Sequence, residues 1–259
     1  MGSPETEKGR DTDEVQHEVT ISKPFFLGMT HVTVDQFAAF VNASGYKTDA
    51  EKEGASDGLE IKDGRLNLIS VAGCSWQNPG FEQKGDHPVV QVSWNDATKF
   101  CEWLAQKSGK RVVLPTEAQW EYACRAGTTT AYPWGDNPDA GQGWANGADQ
   151  SLKKKVPNAP ADWAFFTWDD GFAFTSPVAR FKANAFGLYD MIGNANQWCQ
   201  DPYAIYVDPD KRKSVAGSAR VPRGGSWYND PSRCRSALRS WREPSTRYVD
   251  CGFRVAVAD

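Results

Sequence analysis

Along TVDQFAAFVNASG the apolar residues Val34, Phe37, Phe40 and Val41 recur at helical spacing with polar residues between them, which predicts a helix that packs on one face and stops at Gly45. In SWNDATKFCEWLAQKSG, Ala97, Phe100, Cys101 and Leu104 repeat that pattern up to Gly109. PTEAQWEYACRAG predicts a third helix, because Thr116 followed three residues on by Gln119 forms a capping-box pattern and Gly127 marks an end. Strand-like runs are short: HEVTIS, FFLGMTHVT, HPVVQVSW, RVVLP and the terminal GFRVAVA. From about residue 130 to 250 helical periodicity nearly vanishes while Gly, Pro, Asn, Asp and Trp crowd in, so long ordered loops over a small sheet are expected there. Loops of that length need pins, which the 11 Trp or bound ions can supply.

With 259 residues, 40% of them hydrophobic, the chain can bury one sizeable core, and we expect a single domain over 1–259. Lys and Arg number 29 against 33 Asp and Glu, with no long basic run, so the electrostatic footprint of a nucleic-acid binder is missing. No apolar stretch reaches the length of a membrane span, and Met1-Gly2-Ser3-Pro4-Glu5 lacks the apolar core of a signal peptide. The compartment stays open between the bacterial cytoplasm and export through an upstream signal since removed; a monomer is expected.

Six cysteines show no CxxC and no Cys/His spacing suited to zinc. Cys101 and Cys124, within helical patterns, read as small buried hydrophobes. His17, His31 and His87 are scattered, which argues against a His-activated nucleophile. Ser226 sits in G-G-S-W rather than G-x-S-x-G, without a strand-turn-helix frame. Arg223, Arg235, Arg239 and Arg254 read first as structural partners of acidic neighbours and second as anchors for a carboxylate or a peptide backbone.

In order, MGSPETEKGRDTDEVQHEVTISKPFFLGMTHVTVDQFAAFV, HPVVQVSWNDATKFCEWL, RVVLPTEAQWEYACRAG, YPWGD, NAFGLYDMIGNANQW, RGGSW and GFRVA resemble the formylglycine-generating enzyme (sulfatase-modifying factor) family over nearly the whole chain. The resemblance implies an α+β, C-type lectin-like fold that is rich in loops, with few short helices and small antiparallel sheets. In relatives a strand precedes the MGS segment, so an upstream stretch is expected to have been cut away.

Calcium, which favours many hard oxygen ligands, is implied at one or two sites. The family's first set carries over to Asn146, Gly147, Asp170 and Phe172, and its second to Asp190, Gly193, Ala195 and Gln197. Some members have Asn and Glu where the second set has Asp190 and Gln197, so the single carboxylate has moved within it. Without the resemblance these Asn, Asp and Gly residues would read as turn formers.

Formylglycine-forming members oxidise a peptide cysteine with oxygen at two thiolates that bind copper(I), in a pattern resembling G-G-S-x-x-C-x-x-x-x-C. On GGSWYNDPSRC that pattern places Asn229 at the first cysteine and Cys234 at the second, and an early gap would take Cys234 off both. A Cys234–Cys251 disulfide, a Cys234–Cys251 metal pair and unrelated core thiols are all open, the last ranked first. Histidines without clustered ligand spacing argue against the iron-dependent sulfoxide synthases that share this fold.

Two readings compete. One is an enzyme, a copper-dependent oxidase with Cys234 and Ser226 as catalytic candidates. The other is a calcium-supported domain that forms no formylglycine and holds a peptide, protein or small molecule in a cleft around the 223–251 loop, on Trp227, Tyr228, Asn229, Asp230, Arg233, Trp241 and Arg242, a mixture of aromatic and adaptable polar groups suited to recognition. The second is favoured. A variant of it is the variable ligand-binding protein of diversity-generating retroelements, which this chain resembles in its RGGSW and GFR segments.

Overall fold

A computed structural model describes residues 1–204 and 219–258. The three periodic segments are helices: α1 (Val34–Ser44), α3 (Trp94–Ser108) and α4 (Glu117–Arg125), with a short α2 (Asp49–Glu53) after the first. Each begins at a Thr or Ser whose side chain accepts from the third backbone N–H while the residue there reaches back, which satisfies two end donors at once. The α4 helix ends one residue before the expected glycine, with Ala126 itself in the left-handed region at φ 45°.

The strands that the apolar runs form are shorter than the runs themselves. In one sheet β1 (Phe25–Leu27) and β4 (Val112–Val113) flank β8 (Ala256–Ala258), antiparallel. A second sheet places β5 (Asn196–Pro202) between antiparallel β6 (Arg220–Arg223) and parallel β7 (Cys251–Gly252). A hairpin pairs β2 (Ala55–Lys62) with β3 (Arg65–Ala72) around Asp63-Gly64, both at positive φ.

HEVTIS forms no strand, and HPVVQVSW contributes one isolated bridge, Pro88 with Thr33. Val89, Val90 and Val92 are nevertheless fully buried, so the alternation there reports burial of an irregular segment and not a ladder. GFRVAVA splits between β7 and β8. The expected loop region holds a six-residue helix α5 (Gln150–Lys155), β5, β6 and otherwise turns, apart from 205–218, which lie outside the described residues.

Aromatic packing pins these loops. One cluster gathers Phe37, Phe40, Phe100, Trp198 and Phe253 around α1 and α3, another Trp120, Tyr132, Phe166 and Trp168 around α4, and a third Trp227 with Leu152 and Val249. The four arginines are buried and engaged. Arg223 bonds Glu117 and Glu121; Arg235 bonds Glu7 and Glu14; Arg239 bonds Glu117; Arg254 donates to four backbone carbonyls and to Gln197. Three of them thus pair with acidic residues while Arg254 is held by carbonyls and an amide, and Arg223 ties β6 to α4. Among the described residues no helix is long and apolar enough to cross a membrane.

Candidate functional site

The loop that follows β6 is fastened at both ends. Arg223 enters it locked to α4, and Gly224 and Gly225 turn it at φ 97° and 68°; a Cβ on Gly225 would lie 2.7 Å from Cys234 Sγ, so the loop closes tightly on itself there. Asp230 then caps a single 3-10 turn, Pro231–Cys234, by accepting from the Ser232 amide at 2.8 Å. The segment presents Tyr228, Asn229, Asp230 and Arg233 to a cleft of about 510 Å³, which Arg242, Asn196 and Trp163 also line.

Two sequence-derived candidates lie elsewhere. Trp227 is fully buried, packed against Phe81 and Phe174, with Nε1 donating to the Val249 carbonyl. Trp241 is 56% exposed beside Tyr203, outside the cleft lining. Both stand beside the cleft residues in sequence, and proximity in sequence cannot tell an inward from an outward Trp. Asn196 and Trp163 escape sequence reasoning because they lie far off in the chain and carry no motif, and Asp250, just behind, stands in the same C-terminal loop with nothing to mark it.

Beneath the cleft, Ser226 Oγ is 2.8 Å from Asp250 Oδ2 and 2.9 Å from Asn229 Oδ1, and Asn196 Nδ2 donates to both of those oxygens. Burial raises the Asp250 carboxyl above its ordinary range, opposed by the Ser226 bond and by Arg242. Arg242 lies over the Tyr248 ring at 5.1 Å, and Trp163 meets Tyr228 edge-on at 5.0 Å.

No thiol shares this cleft among the described residues. Cys234 is fully buried in the cluster around Trp120, its Sγ 3.7 Å from the Asn229 carbonyl, and burial pushes its thiol far above the usual range. Cys251 belongs to the other cluster, with Trp198 and Phe253, and all six cysteines are free and buried. The Cys234–Cys251 disulfide is not formed, and those two thiols lie apart in separate clusters. Copper(I) is held by thiolates, and no two thiols are brought together at this cleft among the described residues, so the donors present do not fit it.

The two calcium sets differ. In the first, Asn146 Nδ2 donates to the Phe174 carbonyl at 2.7 Å, and Asp170 Oδ1 accepts from the Phe172 amide at 2.7 Å, which ties the loops together. Asn146 Oδ1 and Asp170 Oδ2 are left buried without a donor. Burial and then the neighbouring Asp149, whose carboxylate accepts from the Asp170 amide, push the Asp170 carboxyl upward. Orphaned hard oxygens beside accumulated negative charge fit a hard cation, and Gly147 and Phe172 stand next in line to add carbonyls. Among the described residues no three His, Cys, Asp or Glu converge, so any cation here draws on amide and carbonyl oxygens.

In the second set Asp190 Oδ1 is likewise orphaned, while Oδ2 accepts from the Ala179 amide. Gln197 Oε1, however, accepts from Trp120 Nε1 at 2.8 Å and from Arg254 Nε at 2.5 Å, and the Ala195 carbonyl accepts from His31 at 2.8 Å. The Gln197 oxygen has no lone pair left, and the Arg254 guanidinium already brings positive charge to this place. The two sets abut, since a Cβ on Gly193 would lie 2.2 Å from the Asn146 carbonyl oxygen.

The model of the sulfatase-modifying factor enzyme 1-like domain matches residues 1–259. The chain belongs to this family. It is 36% identical to the formylglycine-generating enzyme of Streptomyces coelicolor, over 95% of this chain and 82% of that protein. It is 34% identical to the inactive C-alpha-formylglycine-generating enzyme 2 of Bos taurus, over 96% and 81%. Among solved structures it superposes on PvdO from Pseudomonas aeruginosa with a TM-score of 0.74 at 29% identity, over 100% of this chain and 90% of that one. The fold is thus that of the formylglycine-generating enzymes, C-type lectin-like, and membership in the family is compatible with members that carry the activity and members that lack it.

Proposed function

We propose that this family member forms no formylglycine and instead holds a peptide or small organic ligand in the cleft around residues 228–242, on a scaffold braced by calcium at the Asn146–Asp170 set. The observation that carries this reading is the replacement at the cleft floor. Where the family's pattern has its first thiol the chain has Asn229, hydrogen-bonded to Ser226 and Asn196, and Cys234 is sealed in the core. Ser226 is engaged in the same network, bonded to Asn229 and Asp250 and to no histidine among the described residues, which argues against its activation as a nucleophile. Calcium bound at Asn146 Oδ1 and Asp170 Oδ2 would supply fixed positive charge and hold the two loops together; the chain's own residues do the recognition.

The test is mass spectrometry of a peptide carrying Cys-x-Pro-x-Arg after incubation with reduced protein, copper(I) and oxygen, beside Cys234→Ala and the Streptomyces coelicolor enzyme. We expect the cysteine to survive with this protein and to be converted by the enzyme. Formylglycine that appears with the wild-type chain and disappears with Cys234→Ala refutes the reading.

A further inference from the structure

The polar cluster under the cleft has a hydrogen count that sets the orientation of two amides. Ser226 Oγ faces two oxygens, Asp250 Oδ2 and Asn229 Oδ1, and has one hydrogen to give. Were Asp250 an acceptor alone, Asn196 would have to turn Nδ2 toward it, at 3.1 Å, and the same nitrogen meets Asn229 Oδ1 at 3.2 Å. Ser226 would then sit between two acceptors with one contact unmade. Turning Asn229 over opposes two NH2 groups, and turning both amides sets Asn196 Oδ1 against the Asp250 main-chain carbonyl, 3.5 Å away. Every contact closes when Asp250 carries a proton and donates it to Ser226 Oγ while Ser226 donates to Asn229 Oδ1. The direction in which burial moves this carboxyl agrees.

With Asn196 Nδ2 and Asn229 Oδ1 committed inward, their opposite halves are available. Asn196 Oδ1 and Asn229 Nδ2 make no hydrogen bond among the described residues, and both side chains line the cleft. We propose that they form an amide-reading pair: Asn229 Nδ2 donates to a ligand carbonyl, Asn196 Oδ1 accepts from the ligand N–H, and the ligand is a lactam or primary amide, which shows both groups on one edge. A trans peptide bond shows them on opposite sides and meets half of the pair. Trp163 and Tyr228 wall the cleft with apolar area for a flat ligand body. This rests on the ligand-cleft reading above and narrows its ligand class.

The experiment is ¹⁵N–¹H NMR of the full chain titrated with four fragments, following the Asn229 side-chain NH2 signal, identified by its loss in Asn229→Asp. The fragments are 2-pyrrolidinone, propanamide, γ-butyrolactone, which keeps the carbonyl but lacks N–H, and N-methylacetamide, a trans amide. We expect 2-pyrrolidinone or propanamide to shift the signal and to bind roughly five- to tenfold more tightly than the other two, the difference one hydrogen bond makes. Whichever of the pair binds better separates cyclic from open-chain amides as the ligand source. In Asn196→Ala the lactam should lose its advantage over the lactone. Lactone or N-methylacetamide binding as tightly as the lactam overturns the amide pair while leaving a ligand cleft standing; no fragment moving any cleft signal overturns both.

Discussion

Acidification should weaken the protein through one buried histidine. His31 is 1% exposed, its Nε2 donates to the Ala195 carbonyl at 2.8 Å, and its Nδ1 has no partner. Burial first, and the Arg254 guanidinium second, lower its pKa from 6.5 to about 3. A base whose folded pKa lies below its unfolded one contributes nothing above pH 6.5; as pH falls further the unfolded chain takes up a proton that the folded protein refuses, and stability drops until about pH 3. Each unit in that window costs about 1.4 kcal/mol, so at pH 5 the loss is ~2 kcal/mol. Urea unfolding at pH 7 and pH 5 measures it, with His31→Gln alongside, since glutamine keeps a donor for Ala195 and does not titrate. Carboxyls raised by burial, such as Asp190 at about 6, gain stability over the same range, but they are common to both proteins and cancel in the comparison. Equal changes in wild type and His31→Gln would refute the assignment.

Three further outcomes are expected. Asp170→Ala should lower the melting temperature in calcium and change it little in chelator; equal loss in both would remove calcium from the Asn146–Asp170 set. Arg223→Met leaves Glu117 and Glu121 short of a buried partner and should cost ~3–5 kcal/mol in denaturant unfolding, far more than an exposed pair such as Lys99–Glu102. Native protein at pH 8 should react slowly with a thiol reagent at all six cysteines, because burial raises thiols such as Cys101 and Cys124 to about 12, and unfolding should expose the full count; a fast equivalent traced to Cys234 by peptide mapping would contradict its place in the core.

The long helices were legible because apolar spacing agreed with glycine stops along α1 and α3 and with a capping box at the start of α4. The β2–β3 hairpin was not, although Asp63-Gly64 is a strong two-residue turn, because its strands mix charged and apolar residues and leave Ile61, Leu68 and Ile69 over a third exposed. HPVVQVSW misled in the opposite sense, its valines being buried without a strand. At the cleft, Tyr228, Asn229, Asp230 and Arg233 could be found because one short loop carries them. Asn196 could not, since it reaches Asn229 and Asp250 only because β5 pairs with the distant β7.

The N-terminal segment has a bearing on how the chain is made. Glu7 and Glu14 find their counter-charge in Arg235, and the Gly2 amide finds Glu121, separations of 228, 221 and 119 residues. A ribosome delivers these carboxylates 228 and 221 residues before Arg235, so residues 2–14 lack that counter-charge until Arg235 has emerged. Folding of this domain therefore cannot finish before Arg235 emerges, and a nascent chain stalled before Arg235 should show residues 2–14 open to protease.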